Sequence, residues 1–189
     1  PGVFSGLVCP DGSGVVATIT EGVALAGDGD TVLIRPGVYQ ESVLVEEDIR
    51  LAGDGDREAV IVEGTAGSGS ITSLTGPYSF VLVDSEAVLS DLTIRGMAGQ
   101  VIVSGGRPTL QRLSFQGTGV PYGKNDPCAD PRGCGNSLLI TGGSAASVTD
   151  SLFVGGADLA VDGDSNPVFE DNELLDGPHF YLADPGDEA

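Results

Sequence analysis

Tryptophan is absent from this 189-residue chain, histidine is a single residue, and aromatics make up only 5%. A His-rich metal centre is therefore excluded, and the lone His179 is read as an ordinary residue of the C-terminal segment. Positive charge is almost as scarce. Lys124 is the one lysine, and 8 Lys and Arg face 28 Asp and Glu for a net charge of −20. Gripping a phosphate backbone requires clustered cations, so nucleic acid and anionic membrane are excluded as partners. The acid excess keeps the protein soluble and would attract cations or a basic partner. No run approaches the ~20 apolar residues of a membrane span. No signal peptide is recognisable, and a start at Pro1 is expected of a trimmed or mature chain.

Cysteine is rare too, with three residues. Cys128 and Cys134 bracket the polar turn "CADPRGC", where packing gives no reason to hold them, and are expected to close a small disulfide loop. Their spacing fits no zinc pattern, and Cys9 has no evident partner. A disulfide loop points to an extracytoplasmic or secreted location.

What the chain has in quantity is glycine, 30 residues, within a composition that is 40% hydrophobic. Many short strands joined by tight turns would look like this. Four segments align: "VLVDSEAVLSDLTIRG" from Val81, "VIVSGGRPTLQRLSFQG" from Val101, "LLITGGSAASVTDSLFVGG" from Leu138 and "LAVDGDSNPVFEDNELLDG" from Leu159. They start 20, 37 and 21 residues apart, and removing about 17 residues of "GTGVPYGKNDPCADPRGCGN" restores the period. Short strands on a period of about 20 describe a parallel β-solenoid, whereas the Leu-x-x-Leu-x-Leu frame of a leucine-rich repeat does not fit.

Stacked coils bring equivalent residues into columns. Leu89, Leu110, Val148 and Phe169 should form one, and Ile94, Phe115, Phe153 and Leu174 another. Leu92, Leu113, Ser151 and Asn172 should form a third that turns polar toward the C-terminus, where Ser and Asn hydrogen-bond along a bend. The expected architecture is all-β, a single-stranded right-handed parallel β-helix of about six coils, roughly 30 Å long. Residues 1–30 form an N-terminal cap, 31–177 the coils with an inserted loop at 118–137, and 178–189 a tail or cap. In the cap, Ile19, Val23 and Ala26 share one face of a short helix that Thr18 or Thr20 starts and Gly27 ends. Phe180, Tyr181 and Leu182 are candidates to plug the last coil.

The opening "DGSGVVATITEGVALAGDGDTVLIRPGVYQESVLVEEDIRLAGDG" resembles that of the pectin-lyase-like superfamily of right-handed parallel β-helices. The matching elements are Thr18-Ile19, Gly29–Val32, Pro36–Glu41 and Leu51–Gly53. "SNPVFEDNELLDG" likewise resembles a repeat of the carbohydrate-binding and sugar-hydrolase domain type. The resemblance implies the fold and a polysaccharide context; it does not fix an activity, because the superfamily holds esterases, lyases, hydrolases, epimerases and non-enzymatic modules. Of a pectin methylesterase-like site only the opening "GVYQES" is present, and the polygalacturonase-like Asn-Thr-Asp and Gly-His-Gly motifs are missing.

Four groups of residues remain as candidate sites. "AGDGD" occurs twice, offering Asp28, Asp30, Asp54 and Asp56 to calcium; a lone Asp-Gly-Asp supplies too few of the six to eight oxygens calcium takes, so turns are the expected role and no cofactor is required. Asp84, Ser104, Thr141 and Asp162 close the first strand of each repeat and should stack on the face where β-helices of this kind hold substrate. Asp84 and Asp162 are the candidate catalytic carboxylates, though at ~14 Å apart they exceed a glycosidase pair's spacing. Between them Ser104 and Thr141 are candidate binding residues. Finally, Leu82, Ile102, Leu139 and Ala160 should form an outward apolar stripe that needs a cover, from this chain or from self-association. Tyr78 and Tyr122, in loops, are candidate platforms for a sugar ring. The expected function is a non-catalytic module of a larger bacterial protein binding carbohydrate or a protein partner. The alternatives are a calcium-assisted lyase or epimerase on acidic glycans, and a structural or assembly unit.

Overall fold

A computed structural model describes residues 5–8, 16–65, 78–96, 101–117, 136–155, 157–162, 164–176 and 180–182. Its strands fall into three sheets, and every pairing between them is parallel. The chain visits the sheets in rotation. The first holds Ser5–Val8, Thr31–Ile34, Arg50–Gly53, Val88–Ser90, Thr109–Gln111, Ser147–Thr149 and Val168–Glu170. The second holds Gly37–Gln40, Val60–Glu63, Thr93–Arg95, Ser114–Gln116, Leu152–Val154 and Glu173–Leu175. The third holds Val43–Val45, Phe80–Val83, Val101–Ser104, Asn136–Thr141, Asp158–Val161 and Phe180–Leu182. Six turns of a right-handed parallel β-helix result, with Ser5–Val8 as an extra rung at the start.

Inward side chains stack in rows. Val32, Leu51, Leu89, Leu110, Val148 and Phe169 run down the first sheet. Tyr39, Val62, Ile94, Phe115, Phe153 and Leu174 run down the second, where Phe115 and Phe153 lie face to face at 4.6 Å. At the bend between these sheets the polar end of the third column closes as expected. Ser151 Oγ accepts from the Leu113 amide at 3.1 Å, and Asn172 Oδ1 accepts from the Ser151 amide at 2.9 Å.

The turns explain the Gly and Asp content. Left-handed residues recur at equivalent corners: Asp91, Arg112, Asp150 and Asp171 at one, Gly96, Gly117, Gly155 and Asp176 at the next, Asp84, Gly105 and Gly142 at the third. Gly, and less often Asp, tolerates that conformation, so a chain turning at every strand end accumulates both.

The start of the solenoid is closed by helix Ile19–Leu25. Thr18 caps it, its hydroxyl accepting from the Glu21 amide at 3.1 Å, while Ile19 and Val23 are buried. Gly22 faces Val8 and Val32 so closely that a Cβ would lie 2.9 Å from Val32. Two boundaries shift from expectation. The third-sheet strand begins at Asn136, inside the expected 118–137 loop, because Asn136 already pairs with Asp158. Phe180–Leu182 pairs with Leu159–Val161, so the coils continue past 177.

Candidate functional site

On the third sheet the register differs from the expected one by a residue. Phe80, not Val81, pairs with Val101, because the strand opens on Phe80 and sends that large side chain into the core between Val43 and Val101. The column is therefore Val83, Ser104 and Thr141, followed by Asp162. Asp84 falls outside it, at a left-handed corner facing Gly105. The Asp84–Asp162 arrangement does not form. The Thr141 hydroxyl donates to Asp162 Oδ2 at 2.9 Å, which joins two of the expected binding and catalytic candidates in one bond.

The same shift turns Leu82 inward, where it is fully buried, and gives its outward place to Val81. Val81, Ile102, Leu139 and Ala160 form the outer stripe with Tyr78, and the chain itself buries it, Ile102 and Leu139 being 4% exposed. Tyr78 is 3% exposed, and burial pushes its phenol pKa up, so it offers no platform to a sugar. Tyr122, Cys128, Cys134 and Cys9 lie outside the described residues.

The Asp-Gly-Asp copies occupy different corners. Asp30 accepts from the Gly27 amide at 2.9 Å, and Asp28 from the Asp48 amide at 3.0 Å. Asp48 in turn accepts from Glu86, so this edge is held by carboxylates reaching across coils. Asp54 pairs with Arg35 at 3.2 Å, and Asp56 precedes the short helix Arg57–Ala59. Among the described residues no three His, Cys, Asp or Glu gather as a metal site would require.

Within the opening motif Tyr39 and Glu41 hold the fold together. Tyr39 donates its hydroxyl to the Arg35 and Val8 carbonyls at 2.8 and 3.2 Å. Glu41 accepts from the Ile19 and Thr20 amides at 2.9 and 3.0 Å and from the Thr20 hydroxyl at 2.9 Å. Together they tie the first coil to the strand and helix above it. Elsewhere Arg112 grips Asp91 through two bonds of 2.6 and 2.7 Å, and this guanidinium holds the Asp91 carboxyl below its usual range against the opposing effect of burial.

One polar arrangement was not anticipated. Gln40, Glu63, Arg95 and Gln116 occupy the same position on four successive strands of the second sheet, pointing outward. Glu63 is the hub: Arg95 donates to Oε1 from Nε and Nη2 at 3.0 and 2.7 Å, and Gln40 donates to Oε2 at 3.3 Å. The Arg95 guanidinium first, and the Gln40 amide second, hold the Glu63 carboxyl below its usual range. At ~4.8 Å per rung the row extends about 14 Å. Arg95 Nη1 and the carbonyl of either Gln side chain are engaged in none of these bonds, so the row presents donors and acceptors at regular intervals. The signal was present in the sequence, since Glu63, Arg95 and Gln116 each precede the glycine that ends a repeat.

No family model and no curated protein matches the sequence. Solved structures do. The chain is similar to pectin methylesterase PemA from Erwinia chrysanthemi, at 14% identity over 90% of this chain and 67% of that one, with a TM-score of 0.52. It is also similar to pectin methylesterase from carrot, at 16% identity over 96% of this chain and 64% of that one, with a TM-score of 0.53. The chain thus spans about two thirds of the length of these structures and shares their pectin-lyase-like β-helix fold.

Proposed function

We propose that the chain is a non-catalytic, extracytoplasmic β-helix module that binds a neutral polysaccharide along the outer face of its second sheet. The observation that carries this reading is the Gln40–Glu63–Arg95–Gln116 row, an uninterrupted series of amide, carboxylate and guanidinium groups in register with the coils. Sugar hydroxyls are recognised by such groups, which accept and donate at fixed spacing. The fold of the pectin methylesterases supports a polysaccharide context. Two further features favour binding over turnover, and a neutral chain over a charged one. On the outer face of the third sheet the stripe Val81, Ile102, Leu139 and Ala160 is apolar and buried, and the Asp162 carboxylate beside it is engaged by the Thr141 hydroxyl. A net charge of −20 repels polyuronates, and Arg95 is already neutralised by Glu63.

The test is incubation with a panel of neutral and acidic polysaccharides, with calcium and with chelator, following both binding and the appearance of new chain ends. Saturable, calcium-independent binding to a neutral glycan without new ends is expected, weakened at least tenfold by Gln40→Ala together with Gln116→Ala. Calcium-dependent cleavage of an acidic glycan would instead establish the enzyme reading. Neutral-glycan binding unaffected by the double substitution would remove the site from the second sheet.

A further inference from the structure

The pentapeptide Ala-Gly-Asp-Gly-Asp stands at Ala26–Asp30 and again at Ala52–Asp56, so the fold holds one sequence in two settings. Each copy places an Asp before a glycine of positive φ, +84° at Gly29 and +128° at Gly55, and a Cβ built on either would meet no described atom within 4 Å. The settings differ in one partner. Asp48 takes both halves of the first pair: its amide donates to Asp28 Oδ1 at 3.0 Å, and its carbonyl accepts from the Gly29 amide at 2.9 Å. In the second pair no acceptor for the Gly55 amide is found among the described residues. The Asp54 carboxylate meets Arg35 alone, at 3.2 Å, between side chains 39 and 51% exposed. An ion pair so exposed holds its members weakly.

Asp followed by glycine is prone to one reaction that bulkier neighbours hinder. The glycine nitrogen reaches the Asp Cγ by closing a five-membered ring, and a residue without a Cβ leaves that approach open. The N–Cγ bond forms, and the amide hydrogen leaves as water with the hydroxyl of the protonated carboxyl, giving a cyclic succinimide. Water then adds to one of the two ring carbonyls. Attack at Cγ restores aspartate. Attack at the main-chain carbonyl breaks its bond to the glycine nitrogen and leaves the chain running through Cγ, as isoaspartate. One water is lost and one regained, and nothing is oxidised or reduced. Ring closure requires the carboxyl and the amide to turn toward each other. The two bonds from Asp48 oppose that at Asp28–Gly29, and nothing comparable among the described residues opposes it at Asp54–Gly55.

We propose that Asp54–Gly55 is a site of spontaneous modification, converting to isoaspartate in the folded protein while its twin Asp28–Gly29 is preserved, and that the change loosens the turn that follows. Isoaspartate lengthens the backbone by a methylene and shortens the side chain by the same carbon, which draws the carboxylate away from Arg35. The added carbon falls just ahead of the short helix Arg57–Ala59, closed by the Ala59 amide on the Asp56 carbonyl at 2.9 Å. That helix is pinned to the third, fourth and fifth coils by Arg57. The Thr93 hydroxyl donates to its carbonyl at 2.9 Å, and its Nη1 reaches the Leu113 and Asp150 carbonyls at 3.4 Å. None of these residues belongs to the Gln40–Gln116 row, so the inference does not depend on the glycan reading.

Peptide mapping tests it. The protein is aged for several weeks, one sample folded in neutral buffer and one unfolded in guanidinium chloride. Both are digested and read by electron-transfer fragmentation, which distinguishes isoaspartate from aspartate at each position. In the folded sample isoaspartate at Asp54 should exceed that at Asp28 by roughly tenfold or more, because Asp28 reacts only when its corner opens. In the unfolded sample, where the shared local sequence decides, the two levels should be comparable. The Ala59 amide should exchange with deuterium faster in the aged folded protein than in fresh protein, while the Leu152 amide keeps its protection. Asp54→Glu retains the carboxylate but would need a six-membered ring, and should age without change at Ala59. No isoaspartate at Asp54, or as much at Asp28 in the folded protein, would overturn the proposal. So would unchanged exchange at Ala59 in modified protein, or the same change in aged Asp54→Glu.

Discussion

Replacing Glu41 should loosen the N-terminal cap before anything else in the molecule. Its carboxylate accepts three hydrogen bonds of 2.9 to 3.0 Å from Ile19 and Thr20, the first two residues of the capping helix. Helix N-termini carry amides with no partner inside the helix, and an anion there also meets the positive end of the peptide dipoles. A hydrogen bond to a charged acceptor contributes roughly 1.5–3 kcal/mol, but the three share one carboxylate and two are solvent-exposed, so they do not add. For Glu41→Ala we expect a loss of about 2–3 kcal/mol, most of it from the Ile19 amide, whose residue is fully buried. Glu41→Gln keeps one acceptor oxygen and should lose about 1 kcal/mol. At roughly 2–4 °C per kcal/mol for a domain of this size, the midpoints should fall by about 4–12 and about 2–4 °C respectively.

Because each coil of a solenoid touches only its neighbours, the damage should be local. Hydrogen exchange is the discriminating assay. The Gly22 amide, bonded to the Thr18 carbonyl within the helix, should exchange faster in Glu41→Ala, while the Ser147 and Leu152 amides of the fifth coil, bonded to the Pro108 and Leu113 carbonyls, should keep their protection. Equal effects of Ala and Gln, or unchanged exchange at Gly22, would refute the assignment of Glu41 as the clamp of the cap.

Other substitutions probe the same construction. Arg112→Gln should cost about 1 kcal/mol at neutral pH by breaking the two-bond grip on Asp91. Since that grip lowers the Asp91 pKa in the folded state, its contribution is present above the unfolded-state value of about 3.9 and is lost as pH falls through the folded one; denaturation curves of the two proteins should converge in acid. Phe153→Ala should cost about 3–5 kcal/mol, because a ring stacked on Phe115 at the centre of the rod leaves a cavity its neighbours cannot fill, measurable by urea titration. Gly143→Ala and Gly106→Ala separate strain from collision. Both glycines have positive φ, but a Cβ at Gly143 would touch nothing closer than 3.9 Å, whereas one at Gly106 would overlap the Ser85 backbone. The first should cost about 1–2 kcal/mol and the second distinctly more.

What was legible in the sequence was whatever repeats. Leu89, Leu110, Val148 and Phe169 occupy one column, and Ile94, Phe115, Phe153 and Leu174 another, as their spacing required, because a one-residue slip would turn a buried row into solvent. The third sheet lacked that safeguard. With Phe80, Val81, Leu82 and Val83 all apolar and both faces covered, alternation gives no phase, and the repeat alignment alone puts Leu82 outside and Asp84 in the column. The phase was decided by Phe80, a side chain that only the interior accommodates. The outward row Gln40, Glu63, Arg95 and Gln116 stayed hidden for the opposite reason. Its members share no chemistry, and only pairing from strand to strand makes them neighbours. In a solenoid the core is encoded as repetition, whereas a surface that recognises a ligand must break it. The places where equivalent positions differ in kind are therefore where the function of such a chain should be sought, and the row from Gln40 to Gln116 is where this chain departs from its own pattern.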